Sequence, residues 1–120
     1  MSYCSNNKNK LIYFWFTTFN DVQINESTKI SFTPTQHWSA RGLFDQDQSL
    51  WGSYVIEHNG KKIFFGGDGG YCTHFQDIQE KFGPFDLAFI GIGAYEPRWF
   101  MKHMHTNPEE AVMIHKDLKS

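Results

Sequence analysis

The chain has 120 residues, a formal net charge of −2 and a pI near 6.3, and it carries no Lys/Arg stripe interleaved with aromatics. That combination excludes the electrostatic footprint of a nucleic-acid-binding protein. With 40% hydrophobic residues it can build the core of one small domain, and its 12 Phe, 5 Tyr and 4 Trp point to sheets covered by large side chains and to surface that a neighbour should cover.

Residues 1–20 are polar and Asn/Lys-rich at first and read as a divergent leader, expected to be disordered in part, ahead of a domain spanning 21–120. The apolar run 11–16 is too short to cross a bilayer and lacks a signal-peptide cleavage site, so the chain reads as cytoplasmic, or at most peripheral to a membrane. Cys4 and Cys72 form no CxxC pair, which argues against a disulfide framework or a cysteine zinc site and for a reducing compartment.

From Asp21 the pattern is legible. Val22 and Ile24 alternate with polar residues, Asn25-Glu26-Ser27 turns the chain, and Ile30 and Phe32 resume the alternation, which predicts a β-hairpin ending at Thr33-Pro34. Residues 50–57 predict a strand, Asn59-Gly60 a tight turn, and residues 61–66 the return strand. Phe75, Ile78 and Phe82 fall at i, i+3 and i+7 and predict an amphipathic helix over 73–82, stopped by Gly83-Pro84. Residues 85–90 form a short apolar strand of the kind buried on both faces. Thr106-Asn107-Pro108-Glu109-Glu110 is a complete helix start, with Ala111, Ile114, His115 and Leu118 sharing one face of the helix that follows. Strands first, then strand, helix, strand, helix, is the order of a mixed α/β layer.

The most informative stretch is Gly66-Gly67-Asp68-Gly69-Gly70-Tyr71, a carboxylate framed by glycines at the end of a strand. Glycine lets the backbone turn sharply and approach a ligand closely, although a tight turn with a solvated aspartate is the alternative reading. His37, Asp68 and His105 all fall in loops at strand ends or helix starts, and imidazole with carboxylate suits zinc. The alternative for such loop histidines is ordinary surface or packing. His58 reads as a turn residue, His74 and His115 as packing or solvent-facing helix residues, and His103 with His105 forms an HxH pair without further ligands at matching spacing. Cys72 reads as packing, and Glu96 with Arg98 as either a functional pair or a self-satisfying loop network. The dinucleotide fingerprint, the phosphate-binding loop and the G-x-S-x-G nucleophile elbow are all absent.

Ser31-Phe32-Thr33-Pro34-Thr35-Gln36-His37-Trp38-Ser39, Phe65-Gly66-Gly67-Asp68-Gly69-Gly70-Tyr71, Phe82-Gly83-Pro84-Phe85-Asp86-Leu87-Ala88 and Gly91 through Met101, continued by His105-Thr106-Asn107-Pro108-Glu109-Glu110-Ala111, occur in that order. Together they resemble the metallo-β-lactamase-fold hydrolases of the N-acyl-phosphatidylethanolamine phospholipase D type. The resemblance implies the C-terminal part of an αββα sandwich, a mixed sheet with helices on one face, and a two-zinc site hydrolysing a phosphodiester of a lipid or another ester-like substrate. It assigns His37 to one zinc and Asp68 to the bridge between both. His105 becomes an active-site residue contacting substrate, and Arg41, Tyr71 and Glu96 take supporting places. In such a site the metal-bridging hydroxide is the nucleophile.

The family's HxHxDH motif is absent from this sequence, its final zinc-binding histidine is expected beyond Ser120, and Gly69 stands where the family has threonine. The expectation is therefore a fragment that binds zinc weakly or not at all and is inactive alone. It would be completed by an N-terminal polypeptide or by homo-oligomerisation. The alternative is a non-catalytic remnant or interaction domain that self-associates or pairs with a separate N-terminal half.

Overall fold

Asparagine sets both hairpins. In the computed structural model, which describes residues 19–37 and 51–120, β1 (Asn20–Asn25) and β2 (Thr28–Thr33) are joined by an Asx turn: Asn25 Oδ1 accepts the Ser27 backbone N–H at 3.0 Å. β3 (Ser53–His58) and β4 (Lys61–Phe65) are joined by Asn59-Gly60, with φ of 49° and 77°. Positive φ at both central residues gives the turn whose twist matches the flanking strands. The chain then forms α1 (His74–Phe82), the short β5 (Leu87–Phe89), α2 (Arg98–Met101) and α3 (Pro108–Leu118).

The five strands lie in the order β1-β2-β3-β4-β5, antiparallel through β4 and parallel between β4 and β5. The parallel pair needs a crossover, and α1 supplies it. Register fixes the faces. Ser31, Val55, Phe64 and Ala88 align across β2 to β5 on the side that carries the helices. There Val55 and Phe64 pack with Phe75, Ile78 and Phe82 of α1, Phe85, and Ile114 and Leu118 of α3. Strand period 2 sends the neighbouring rows to the other side. Val22, Ile30, Ile56, Ile63 and Leu87 form one such row, and Phe32, Tyr54, Phe65 and Phe89 another. That second face is apolar and largely bare: Tyr54 is 43% exposed, Phe65 48%, Leu87 47% and Phe89 53%.

The mixed α/β class, the hairpins and both long helices agree with the sequence. Three expectations are corrected. β5 is not buried on both faces, because Leu87 and Phe89 point to the bare side and only Ala88 packs toward the helices. His115 does not share the buried stripe of α3. At 100° per residue it lies at the stripe's edge, and its exposed ring pairs with Ser120 Oγ at 2.9 Å. Cys72 is disulfide-bonded, against the expectation of no disulfide; spacing along the chain carries no information on which distant thiols meet. Residues 1–18 of the leader, together with Arg41, lie outside the described residues, while Asn20, assigned to the leader, is the first residue of β1.

Candidate functional site

Because β2, β4 and β5 run parallel to one another, the loops that follow them emerge at the same end of the sheet. His37 follows β2, Asp68 follows β4, and Gly91 follows β5. This is where open α/β sheets gather their functional groups.

The glycines around Asp68 are there for close approach. Gly67 takes a φ of +61°, and the Gly66 N–H donates to the Phe89 carbonyl at 2.9 Å, tying the loop to the end of β5. A Cβ on Gly91 would lie 2.9 Å from the Gly67 carbonyl and 3.9 Å from Asp68 Oδ1, so the Asp68 carboxylate stands beside Gly91. Asp68 is exposed.

His37 and His105 come together across 68 positions of sequence (105 − 37), their rings edge to face with centroids 5.3 Å apart. The loops that carry them are joined to the Asp68 loop by backbone and side-chain bonds. The Gly70 N–H donates to the Gln36 carbonyl at 2.8 Å, Gln36 Nε2 donates to the His103 carbonyl at 2.9 Å, and Thr106 Oγ1 donates to the Gly69 carbonyl at 2.6 Å. Sequence reasoning singled out neither Gln36 nor Thr106 for this role. The only local signal was their position, each one residue from a candidate histidine.

The segment before His105 is held by Arg98. Its guanidinium donates to Glu110 Oε1 at 2.7 Å and to the His105 carbonyl at 3.0 Å. Glu110 in turn completes the capping box of α3, its Oε2 accepting the Asn107 N–H at 3.2 Å while Asn107 Oδ1 accepts the Glu110 N–H at 2.8 Å. Of the two readings of Glu96 and Arg98, the local network is the observed one. The Glu96 carboxylate accepts the Arg98 backbone N–H at 3.1 Å, while the Arg98 side chain pairs with Glu110. Tyr71 donates its hydroxyl to Asp117 Oδ2 at 2.7 Å; that hydrogen bond to a carboxylate pushes the phenol up to about 12.

The remaining candidates hold other places. His58 sits at the β3–β4 turn, bonded to Thr28 Oγ1 at 2.8 Å and Asn59 Nδ2 at 2.9 Å. His103 contributes its backbone carbonyl to the Gln36 contact. His74 opens α1 buried against Phe75, with neither ring nitrogen hydrogen-bonded, and burial pushes its imidazole down to about 3. Cys72 is buried and, being disulfide-bonded, offers no thiolate.

A protein zinc site takes three or four protein ligands. Among the described residues no group of three or more His, Cys, Asp or Glu side chains converges to hold a metal ion. An imidazole pair and a carboxylate in the adjoining loop are a partial donor set, and by themselves they do not fit a zinc ion.

A β4–α1–β5 crossover, glycine-framed carboxylate and converging histidines at one sheet end agree with a family match. The model of the beta-lactamase superfamily domain matches residues 10–120, and the chain belongs to that family. Its relatives are more specific. It is 46% identical over 103 residues to N-acyl-phosphatidylethanolamine-hydrolyzing phospholipase D 1 of Caenorhabditis elegans, covering 85% of this chain and 29% of the nematode protein. It is 41% identical over 124 residues to the mitochondrial N-acyl-phosphatidylethanolamine-hydrolyzing phospholipase D of Saccharomyces cerevisiae, covering 99% of this chain and 26% of the yeast protein. A metal-dependent hydrolase of Thermococcus onnurineus is 31% identical over 94 residues, covering 78% of this chain and 38% of that one. The chain thus spans under a third of the length of the two phospholipases. No helix among the described residues is long and apolar enough to cross a membrane.

Proposed function

We propose that this chain is one side of a zinc-dependent hydrolase that cleaves a phosphodiester of N-acyl-phosphatidylethanolamine-type lipids. The 120 residues are inactive alone, and an N-terminal polypeptide supplies the metal ligands this sequence lacks. In this reading His37 binds one zinc, Asp68 bridges two, and His105 contacts the substrate; Tyr71 and Glu96 support the loops, and Arg41 lies in the matched motif after His37. The protein works in the cytoplasm, touching membranes only at the periphery.

One observation carries the reading: the His37 and His105 rings meet 5.3 Å apart in loops bonded to the loop of Asp68. Residues of metal-ligand and acid–base type, far apart in sequence, are gathered at one end of the sheet. The relatives support the substrate class, since two of them are named for hydrolysing N-acyl-phosphatidylethanolamine.

A second reading, a non-catalytic domain that associates with itself, is favoured by the bare apolar face around Tyr54, Phe65, Leu87 and Phe89. Both are tested by mixing this chain with the part of the nematode phospholipase that it does not match, adding zinc, and assaying release of the acylethanolamide from vesicles. The hydrolase reading expects turnover that neither component shows alone and that Asp68→Asn abolishes. No turnover from a mixture that forms a stable complex would leave the association reading.

A further inference from the structure

We propose that Gln36 and Thr106 are positioning residues that lock the three loops of the site into one unit, fixing where His37, Asp68 and His105 stand before any metal or partner arrives. The proposal rests on the reading of those loops as a functional site and deepens it.

The chemistry of the two residues is specific. Gln36 is 7% exposed and Thr106 3%, so an amide and a hydroxyl have been taken out of water. Burying such groups costs free energy unless each finds a partner. Both side-chain bonds leave their own loop: Gln36 Nε2 donates to the carbonyl of His103, 67 positions away, and Thr106 Oγ1 to the carbonyl of Gly69, 37 positions away. These bonds form only in one relative placement of the loops, so that placement is favoured over a slipped one.

Glycine makes the approach close enough. A Cβ on Gly69 would stand 2.4 Å from Thr35 Oγ1, and a Cβ on Gly70 would stand 2.5 Å from the His103 carbonyl oxygen. The contact at Gly70, being with backbone, would force the loops apart. Each anchor is also one residue from a group it positions: Gln36 adjoins His37, Gly69 adjoins Asp68, and Thr106 adjoins His105. A displacement at an anchor therefore passes almost undiminished to the site, where a shift of about 1 Å is enough to cost a reaction about a hundredfold.

The test uses the full chain without metal. Thr106→Val and Gln36→Met keep side-chain volume and remove the donor, and Thr106→Ser keeps the hydroxyl. In the wild type, NMR should show a ring-to-ring contact between His37 and His105 and a protected Gly70 amide. In Thr106→Val and Gln36→Met the ring contact should vanish and Gly70 exchange accelerate by about tenfold or more, while the Val55 amide in the sheet changes by less than about twofold. Thr106→Ser should restore both signals.

A wild type without the ring contact overturns the proposal. So do variants that keep the contact, or a Gly70 change matched by an equal change at Val55. Should one of the valine and methionine variants fail to fold, the other still decides the matter. Because no catalysis is read, an inactive reconstituted enzyme would count against the hydrolase reading and leave these spectra to be judged separately.

Discussion

His74 makes the chain acid-sensitive in a calculable way. Its imidazole is 5% exposed, both ring nitrogens lack a hydrogen-bond partner, and burial holds it neutral down to about 3. In the unfolded chain the same group titrates near 6.5. Between those values the unfolded state binds a proton that the folded state refuses, so the contribution of His74 is fully present above about pH 6.5 and is lost as the pH falls. The slope approaches about 1.4 kcal/mol per pH unit, giving a loss of about 3 kcal/mol between neutrality and pH 4.5. His74→Leu removes the titrating group and two unsatisfied buried nitrogens, and should raise stability at pH 7.5 by about 1–3 kcal/mol. Urea unfolding of both proteins at pH 7.5 and 4.5, followed by tryptophan fluorescence, measures the difference directly. Carboxylates titrate alike in the two chains and cancel. An identical pH dependence for wild type and variant would show that His74 is not held neutral by burial.

Phe64→Ala, which empties the centre of the core, should cost about 3–5 kcal/mol in the same urea assay. Phe65→Ser, one residue on and facing the bare side, should change monomer stability by less than about 1 kcal/mol while weakening any association measured by sedimentation. Glu110→Ala removes both the partner of the half-buried Arg98 and one arm of the capping box, and should lower stability by about 2–4 kcal/mol, with Asn107→Ala costing about 1 kcal/mol. Spectrophotometric titration should find Tyr71 ionising near 12 rather than 10. The stability it contributes is present below pH 10 and lost as the pH rises through 12, and Asp117→Asn should bring the phenol down again.

The parts of the fold legible in sequence were those written locally. Asn59-Gly60 can hardly be anything but a tight hairpin turn, the spacing of Phe75, Ile78 and Phe82 matches one helical face, and Asn107 through Glu110 spells a capping box that the structure contains. What failed depended on surroundings. The apolar content of residues 87–89 could not report that one sheet face lies bare, and periodicity could not place His115 at the edge of its stripe rather than within it. Three candidate loops could be named from residue type, and the sheet order brings their strand ends together. The bonds that set their distances run through Gln36 and Thr106 to carbonyls 67 and 37 positions away. No local pattern encodes such a partner. Asp68 and His37 were visible as chemistry, and their supports only as geometry.

On the proposed reading, this chain holds part of a metal site whose other ligands lie elsewhere. Zinc stoichiometry, measured by atomic emission after exhaustive dialysis, tests it most directly on three samples: the chain alone, the chain joined to the unmatched part of the nematode phospholipase, and the same complex carrying Asp68→Asn. Far less than one zinc should be retained by the chain alone and about two by the complex, with a marked loss in the variant. A complex that binds no more zinc than the sum of its parts, or one indifferent to Asp68→Asn, would contradict it.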